Sequence, residues 1–316
     1  MKNYPLVTVI TVTLNNGNLL ERCIISVLNQ TYPNIQYIII DGDSVDNTPE
    51  ILKKYESEID VLVSEKDTGI YNAMNKGLLL STGEYIIFLN ADDWYKKDSI
   101  KELVNAGLKS QADITHANSI IVNSKNIVTG RLQASLHDGI YTRGATLRHE
   151  TMLVRKNLYD DIGLYDESYT IISDYIFMIE AYSKGYKIQH LDRDLLFFSN
   201  TGISNMNNDL LLKERKRCFS DLFDFLDEVD LVVLSKDRNL SIEERLRLIK
   251  KYETRSELFA RSMAFNISDT AGSASWKCSL SGCLDRLSRL AYVALRWIDN
   301  FIYLQRLMPR KMKSPM

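Results

Sequence analysis

The sequence predicts an α/β fold in which a mostly parallel sheet is flanked by helices. Over the first 90 residues, short apolar runs alternate with amphipathic helical segments, and the links between them are short. Polar clusters follow three of the apolar runs, as expected where the strands of a parallel sheet end. The predicted strands are residues 7–13, 35–40, 60–64 and 85–89, and the predicted helices are residues 19–29, 48–55 and 70–80.

The first strand and the second helix carry clear local signals. Residues 7–13 consist only of valine, isoleucine and threonine, whose branched side chains favour strands. The run Thr48-Pro49-Glu50 predicts a helix start. It offers a capping side chain, then a proline at the first helical position, then an acid near the positive end of the helix.

After residue 93 the alternation becomes less regular. A helix is predicted over residues 173–184, and Gly185 predicts its end. From about residue 205 long helical patterns dominate, so we predict a domain of residues 1–204 and a helical region of residues 205–316. The other predicted helices are residues 98–108, 210–226, 241–264 and 285–308, with a short one from residue 157, and the other strands are residues 113–122, 127–132, 151–154, 186–191 and 195–198.

The composition excludes several classes of protein. The chain has 316 residues, of which 45% are hydrophobic and 25% charged, which is ordinary for a globular protein. Its net charge of -2 argues against nucleic-acid binding. The four cysteines are scattered and only four histidines accompany them, so we expect a reduced cytoplasmic protein without disulfides or a zinc site. No secretory signal and no membrane-spanning apolar run are expected.

Acidic residues follow three of the predicted strands. Asp92 and Asp93 come directly after the fourth strand, Asp41 ends the second, and Asp67 follows the third. Parallel strands end at one edge of a sheet, so these acids are expected to lie close together. Adjacent carboxylates repel each other unless a cation lies between them, which favours a hard divalent cation bound together with substrate phosphates. For any single acid a turn or capping role stays open, and for Asp43 and Asp46 that role is favoured.

Five blocks of sequence carry a resemblance to a known family. They are similar to segments of the family 2 glycosyltransferases, which have the GT-A fold, and the third block resembles a bacterial subgroup that builds polysaccharides. The resemblance covers roughly residues 5–200, and the order and spacing of the blocks make it specific. The blocks are residues 9–15, 41–48, 65–77, 90–93, and 163–167 together with 173–175.

The resemblance implies an enzyme with two halves and a defined reaction. Residues 1–93 would be the Rossmann-like half that binds the nucleotide sugar, and residues 94–204 the acceptor half. The implied reaction is inverting and metal-dependent. It moves a sugar from a nucleotide-diphosphate sugar, expected to be a UDP-sugar, to a hydroxyl of a glycan or lipid-linked acceptor. The expected setting is the biosynthesis of a bacterial surface polysaccharide such as a capsule or O-antigen.

The resemblance also assigns residues that would bind the donor. Asp93 is expected to hold Mn²⁺ or Mg²⁺, and Asp92 to reach the ribose or the donor sugar. Asp41 and Asp67 are expected to contact the uridine-like base and ribose, next to the main chain of three residues. Those three residues are Val12, Thr13 and Leu14.

On the acceptor side, Asp174 is expected to be the general base, because an attacking hydroxyl must lose its proton. A simple helix cap is the alternative for Asp174, and Asp166 or Glu167 come next as candidates for the base. His149 is expected either to contact the acceptor or the diphosphate, or to be a buried, hydrogen-bonded histidine. Lys76 is expected to lie on a solvated helix face.

Three positions depart from the family pattern. Leu14 stands where many members have an aromatic residue that stacks on the base. Asp43 replaces a frequent glycine. Ser173 stands where many members have a glutamate, so Asp174 is the only carboxylate there.

The end of the chain is basic and apolar. Residues 285–316 carry seven basic and two acidic residues, a net charge of +5. This composition is typical of a helix that lies in a membrane surface, which predicts a peripheral protein on the inner face of the cytoplasmic membrane. The alternative is a helix packed on the rest of the chain or on a second subunit of a homo-oligomer.

Two other functions are weighed against a transferase. A sugar-phosphate nucleotidylyltransferase would need a glycine-rich, arginine-containing loop after the first strand, and residues 15–18 contain no arginine. A non-catalytic scaffold that binds nucleotide sugars would show no hydrolysis of a nucleotide sugar in the presence of manganese.

Overall fold

The structure is a computed structural model that describes residues 4–134, 147–200, 208–236, 240, 242–252 and 254–256. The chain divides into two compact units, residues 1–267 and 268–316, and the second lies outside the described residues. The strands are β1 (Val7–Thr13), β2 (Ile35–Asp41), β3 (Val61–Ser64), β4 (Tyr85–Phe88), β5 (Trp94–Tyr95), β6 (Ile114–Val122), β7 (Val128–Leu132), β8 (Leu153–Arg155) and β9 (Ile188–Ser199). The helices are α1 (Gly17–Leu28), α2 (Thr48–Lys54), α3 (Ile70–Leu80), α4 (Ser99–Ser110), α5 (Asn157–Ile162), α6 (Ser173–Ser183), α7 (Asn208–Leu222), α8 (Glu228–Lys236) and α9 (Ile242–Tyr252).

The nine strands form one sheet in the order β3-β2-β1-β4-β8-β6-β9-β5, with β7 paired to β6. The first four strands pair in parallel, with β1 between β2 and β4. This register sets Thr13 beside Asp41, and Asp41 beside Ser64, at the carboxyl ends of the strands. The predicted α/β fold with helices flanking a sheet is confirmed.

The second half of the sheet is mixed. Strand β8 lies between β4 and β6 and is antiparallel to both. Strand β9 is parallel to β6, while β5 and β7 are antiparallel to their neighbours. The insertion of β8 carries the residues just before it to the same edge as the carboxyl end of β4.

Several local predictions differ from the structure. The predicted strands 186–191 and 195–198 are one strand, β9, in which Asp192 and Arg193 are extra residues between those paired with Ala117 and Asn118. Two charged residues at this bulge interrupt the apolar pattern but not the strand. Strand β5 was not predicted, since two residues are too few for a pattern. Asn47, not Thr48, is the N-cap of α2, and the amide of Thr48 donates to the carboxylate of Asp46.

The C-terminal helices contain a buried acid. Asp230 of α8 is fully buried, and its carboxylate binds Arg247, Lys251 and the hydroxyl of Tyr252 on α9. Burial would raise the pKa of Asp230, but the hydrogen bonds from these partners lower it. In the described part of the chain, no helix is long and apolar enough to span a bilayer. The predicted helix 285–308 and the basic segment 285–316 lie outside the described residues.

Helix α3 lies directly against β1 because Gly77 has no side chain. A β-carbon at Gly77 would come within 2.4 Å of Cγ2 of Ile10, which is fully buried in the centre of the sheet. Real side chains do not approach that closely, so any larger residue would push α3 away from the sheet. This close packing also fixes the position of the loop that precedes α3.

We expect Gly77→Ala to lower the free energy of unfolding by about 1–3 kcal/mol, the usual effect of overpacking a core. The sign of this change is informative, because replacing glycine by alanine within a helix otherwise raises the free energy of unfolding by up to about 1 kcal/mol. Urea denaturation measures the change. The matched control is Leu79→Ala, which alters a side chain 73% exposed on the same helix and should change stability by less than about 0.5 kcal/mol. A stabilised Gly77→Ala variant would contradict this packing.

Candidate active site

The loops after β1 and β2 form the first wall of the candidate site. The amide of Gly42 donates to the carbonyl of Thr13 at 2.9 Å, which continues the ladder past the strand ends. Beyond it, the amide of Asn15 donates to the hydroxyl of Ser44 at 2.8 Å, and the amide of Val45 donates to the side chain of Asn15 at 2.9 Å. The two loops therefore hold each other in one conformation.

Asp41 organises these loops from inside. Its carboxylate is fully buried and accepts hydrogen bonds from the hydroxyls of Ser44 and Ser64, at 2.5 and 2.6 Å, and from the amide of Ser44 at 3.2 Å. A carboxylate with three donors is compensated for its burial. The sequence predicts that Asp41 contacts the base and ribose, and in the structure its described partners are residues of the protein's own loops.

Leu14 and Asp67 meet at Gly42. Leu14 is 60% exposed, so its side chain projects from the loop into solvent. A β-carbon at Gly42 would lie 2.9 Å from a carboxylate oxygen of Asp67 and 3.3 Å from the side chain of Leu14, so a larger residue there would displace these two side chains. The other oxygen of Asp67 binds Lys76 at 2.6 Å, and Lys76 also pairs with Glu65 at 2.8 Å. The expectation that Lys76 lies on a solvated helix face is wrong, because its ammonium binds the loop after β3.

Asp43 occupies a position that favours glycine. Its φ angle is +67°, in the left-handed region that most side chains avoid. A glycine would adopt this backbone conformation without strain. Asp46 accepts hydrogen bonds from the amides of Gly17 and Thr48, so it has the turn and capping role that the sequence favoured.

Asp93 is buried at the carboxyl end of β4 and is only 1% exposed. Its Oδ1 accepts the amide of Ser199 at 2.8 Å, while its Oδ2 has no hydrogen-bond partner among the described residues. Burial raises the pKa of Asp93 well above its ordinary value, and the carboxylates of Glu150 and Asp92 raise it further. An oxygen so placed, next to two other acids, favours a cation.

Asp92 and Glu150 complete an acidic group beside Asp93. Burial raises the pKa of Asp92, and the charge on Glu150 acts in the same direction. Glu150 accepts a hydrogen bond from Asn90 at 3.3 Å, which ties it to the end of β4. Arg22 of α1 is the opposing charge. It lies 3.3 Å over the ring of Trp94 and lowers the pKa of both aspartates.

These residues fit a divalent cation that is shared with a substrate. In the described residues no group of three His, Cys, Asp or Glu side chains converges as a ready-made metal cage. Mg²⁺ and similar ions in nucleotide sites are commonly held by one or two carboxylates and by the substrate's phosphates. The unpartnered Oδ2 of Asp93, close to Asp92, supplies the donor oxygens that such an arrangement requires.

Asp174 lies in the first turn of α6, as predicted. Its Oδ1 accepts the hydroxyl of Tyr71 from α3 at 2.8 Å, and the carboxylate is half-buried. Burial raises the pKa of Tyr71 well above its ordinary value, and the charge on Asp174 adds to this, so Tyr71 stays protonated as the donor. The bond fixes the carboxylate with respect to the loop that begins α3.

His149 is buried between the aromatic residues Phe88 and Tyr165. Its Nε2 lies 3.0 Å from the hydroxyl of Tyr165, and its ring stacks on Phe88 at 5.3 Å. The ring of Tyr165 in turn lies 5.6 Å from that of Tyr71, the partner of Asp174. Of the two expectations for His149, the geometry corresponds to the buried, hydrogen-bonded histidine.

Asn75 and Glu167 join α3 to the segment that precedes α6. Asn75 is buried, and its amide group donates to the carbonyl of Tyr165 and accepts from the amide of Tyr165, both at 2.9 Å. Glu167 accepts hydrogen bonds from Asn75 at 2.9 Å and from Asn72 at 3.0 Å. The third and fifth sequence blocks therefore contact each other directly.

The structure thus brings the predicted residues to one edge in three neighbouring groups. The first is the pair of loops around Asp41 and Asp67, the second contains Asp92 and Asp93, and the third contains His149 and Asp174. Sequence reasoning did not single out four residues that shape these groups. They are Arg22, Asn75, Glu150 and Tyr71.

Comparison with known proteins points to one family. Residues 8–178, just over half of the chain, match the family model described as "Glycosyl transferase family 2". A curated relative from Mycobacterium bovis, described as a PGL/p-HBAD biosynthesis glycosyltransferase, is 29% identical over 184 residues, which cover 57% of this chain and 70% of the relative.

Two solved structures share the fold. Staphylococcus aureus TarS 1–349 in complex with UDP-GlcNAc has a TM-score of 0.59 at 16% identity, covering 85% of this chain and 93% of that one. The mannosyltransferase PcManGT from Pyrobaculum calidifontis, in complex with GDP-Man and Mn²⁺, has a TM-score of 0.56 at 16% identity, covering 93% of this chain and 81% of that one.

Proposed function

The chain belongs to glycosyltransferase family 2, and we propose that it transfers a sugar from a UDP-sugar to a hydroxyl of a glycan or lipid-linked acceptor in bacterial surface polysaccharide biosynthesis. The family favours a transferase over the nucleotidylyltransferase and the non-catalytic scaffold that were weighed from the sequence. The observation that carries the proposal is the buried carboxylate of Asp93, whose Oδ2 has no partner among the described residues, beside Asp92 and Glu150. This acidic group is suited to a cation and the phosphates of a donor.

The donor half of the proposal combines the first two groups of the site. Leu14 and the main chain of Val12 and Thr13 would border the base, with Asp67 near the ribose. Because Asp41 already accepts three hydrogen bonds, we assign it the task of holding the loop rather than of binding the base. TarS and PcManGT were solved with UDP-GlcNAc and with GDP-Man, and nucleotide sugars of this class support a similar donor here.

In the proposed reaction the acceptor oxygen attacks the anomeric carbon while the bond from that carbon to the diphosphate breaks. Asp93 would hold Mn²⁺ or Mg²⁺, which when bound supplies positive charge to the departing diphosphate. Asp92 would orient the donor sugar. Asp174, held at Oδ1 by Tyr71, would accept the proton of the attacking hydroxyl. A single displacement of this kind inverts the anomeric carbon.

We expect Asp93→Asn to weaken the Mn²⁺-dependent binding of UDP by at least about tenfold, since even residues that only orient a metal ligand contribute about 10–100-fold. The substitution keeps an oxygen for the amide of Ser199 but removes the charge. The rise in melting temperature on titrating UDP, with and without Mn²⁺, measures this binding, and GDP titrated in parallel tests the choice of nucleotide. Asp98→Asn, an exposed change outside the site, is the control. Normal Mn²⁺-dependent binding in Asp93→Asn would contradict the metal assignment.

We expect Asp174→Asn to bind UDP normally and to lose transfer by about 10²–10⁴-fold, the usual contribution of a general base. Asparagine can still accept the hydroxyl of Tyr71, so the geometry is kept. Release of UDP from a UDP-sugar in the presence of acceptor measures transfer. Asp166→Asn and Glu167→Gln are measured beside it, because transfer that survives in Asp174→Asn would place the base at one of those two residues.

We also propose that residues 285–316 contact the membrane surface, which rests on their composition alone. Deleting these residues should move the protein from the membrane fraction to the soluble fraction of the cell. A full-length variant with Arg296, Arg306, Arg310 and Lys311 changed to glutamine separates the effect of charge from that of apolar area. An unchanged distribution after deletion would favour a helix packed on the protein or on a second subunit.

A further inference from the structure

Helix α7 buries a carboxylate against the segment that leads into α6. Glu214 is 7% exposed, and its two oxygens accept the main-chain amides of Thr170 at 2.6 Å and Ile171 at 2.9 Å. Among the described residues no lysine, arginine or histidine forms a salt bridge with it. The two amides are therefore the principal compensation for burying this charge.

Three more contacts hold the same segment against α7. Arg217 donates to the hydroxyl of Ser168 at 2.8 Å, and its guanidinium lies 4.1 Å from the ring centroid of Tyr169. Phe219, fully buried on α7, makes an edge contact with Tyr175 at 6.5 Å between ring centroids. Helix α7 thus contacts the chain on both sides of the α6 start, from residue 168 to residue 175.

Asp174 lies within this clamped segment. Thr170 and Ile171 are followed by Ile172, the N-cap of α6, and then by Ser173 and Asp174 in its first turn. The side chain of Asp174 is held by Tyr71 from α3, while its main chain is held through Glu214 from α7. A negative charge at this position also interacts favourably with the positive end of the α6 dipole.

We infer that Glu214 is a positioning residue for Asp174, so that the first C-terminal helix contributes to the transfer step. The inference rests on the proposed role of Asp174 as the base. A base must be held within hydrogen-bond reach of the attacking hydroxyl, and small displacements of a reacting group can reduce a rate by up to about 10²-fold. Glu214 prevents such displacements by fixing the two amides that precede the helix.

The test is Glu214→Gln, which replaces one of the two accepting oxygens by an NH₂ group that faces an amide donor. We expect the kcat of transfer to fall by about tenfold or more. The KM for the UDP-sugar and the Mn²⁺-dependent binding of UDP should stay within about twofold of the unchanged protein. In an Asp174→Asn background the same substitution should have no further effect on transfer, because both changes would remove one function.

Two further variants support this test. Glu228→Gln is the matched control, since Glu228 is an exposed glutamate that pairs with Lys216 on the surface of the same helical region, and its transfer rate should be unchanged. Arg217→Met removes the second set of contacts to the segment without burying a charge, and it should lower kcat in the same direction. It keeps the test decisive should Glu214→Gln fail to fold.

Separate outcomes bear on the inference and on the proposed function. Transfer at the unchanged rate in Asp174→Asn would contradict the base assignment and the inference together. An inactive Asp174→Asn beside a fully active Glu214→Gln would contradict the inference alone. The inference would also be overturned if the losses of transfer rate multiplied in the double variant of Glu214 and Asp174. It would likewise be overturned if Glu214→Gln lost UDP binding and transfer equally, because Glu214 would then have a general structural role.

Discussion

The parallel pairing of β1 with both β2 and β4 is the constraint on which the candidate site depends. It brings the ends of the first four strands to one edge, so that Thr13, Asp41 and Ser64 lie side by side. The loops that follow then have only short distances to cross, and Ser44 and Ser64 can both reach the buried carboxylate of Asp41. The absence of a side chain at Gly77 lets α3 press on β1, which places the loop before α3 beside that edge.

Acidic side chains lie at this edge of the sheet, where burial disfavours their charged forms. Burial and the mutual repulsion of Asp92, Asp93 and Glu150 raise the pKa of the two aspartates, and Arg22 only partly opposes this. An aspartate whose pKa is raised on folding favours the folded state less once the pH exceeds the ordinary aspartate value of about 3.9, because the unfolded chain ionises more readily. Near neutral pH these acids therefore reduce stability. A bound cation would relieve this repulsion and offset the loss of stability.

Local signals explain which parts were predictable. The strands and helices of the first 90 residues follow from periodicity and turn chemistry, and the shared edge follows from their alternation. Glu150 was not placed beside Asp93 because the antiparallel insertion of β8 between β4 and β6 has no signal in sequence. The hydroxyl hydrogen bonds that compensate the burial of the Asp41 carboxylate come from two serines that are 20 residues apart, Ser44 and Ser64. At β9, two charged residues in a bulge interrupted the apolar pattern of a continuous strand.

The surroundings of Asp174 show how helices beyond the sheet contact the candidate site. Asp174 is in the first turn of α6, and contacts from two neighbouring helices hold this part of the chain. Tyr71 on α3 fixes its carboxylate, and Glu214 on α7 fixes the main chain before it. Asn75 and Glu167 tie α3 to the same stretch of chain, so the two helices hold it from both sides. A carboxylate held in this way is tied to α3, and α3 is packed on β1, whose following loop forms one wall of the candidate site. The proposed acceptor and donor halves are thereby joined by buried and part-buried polar contacts as well as by the sheet.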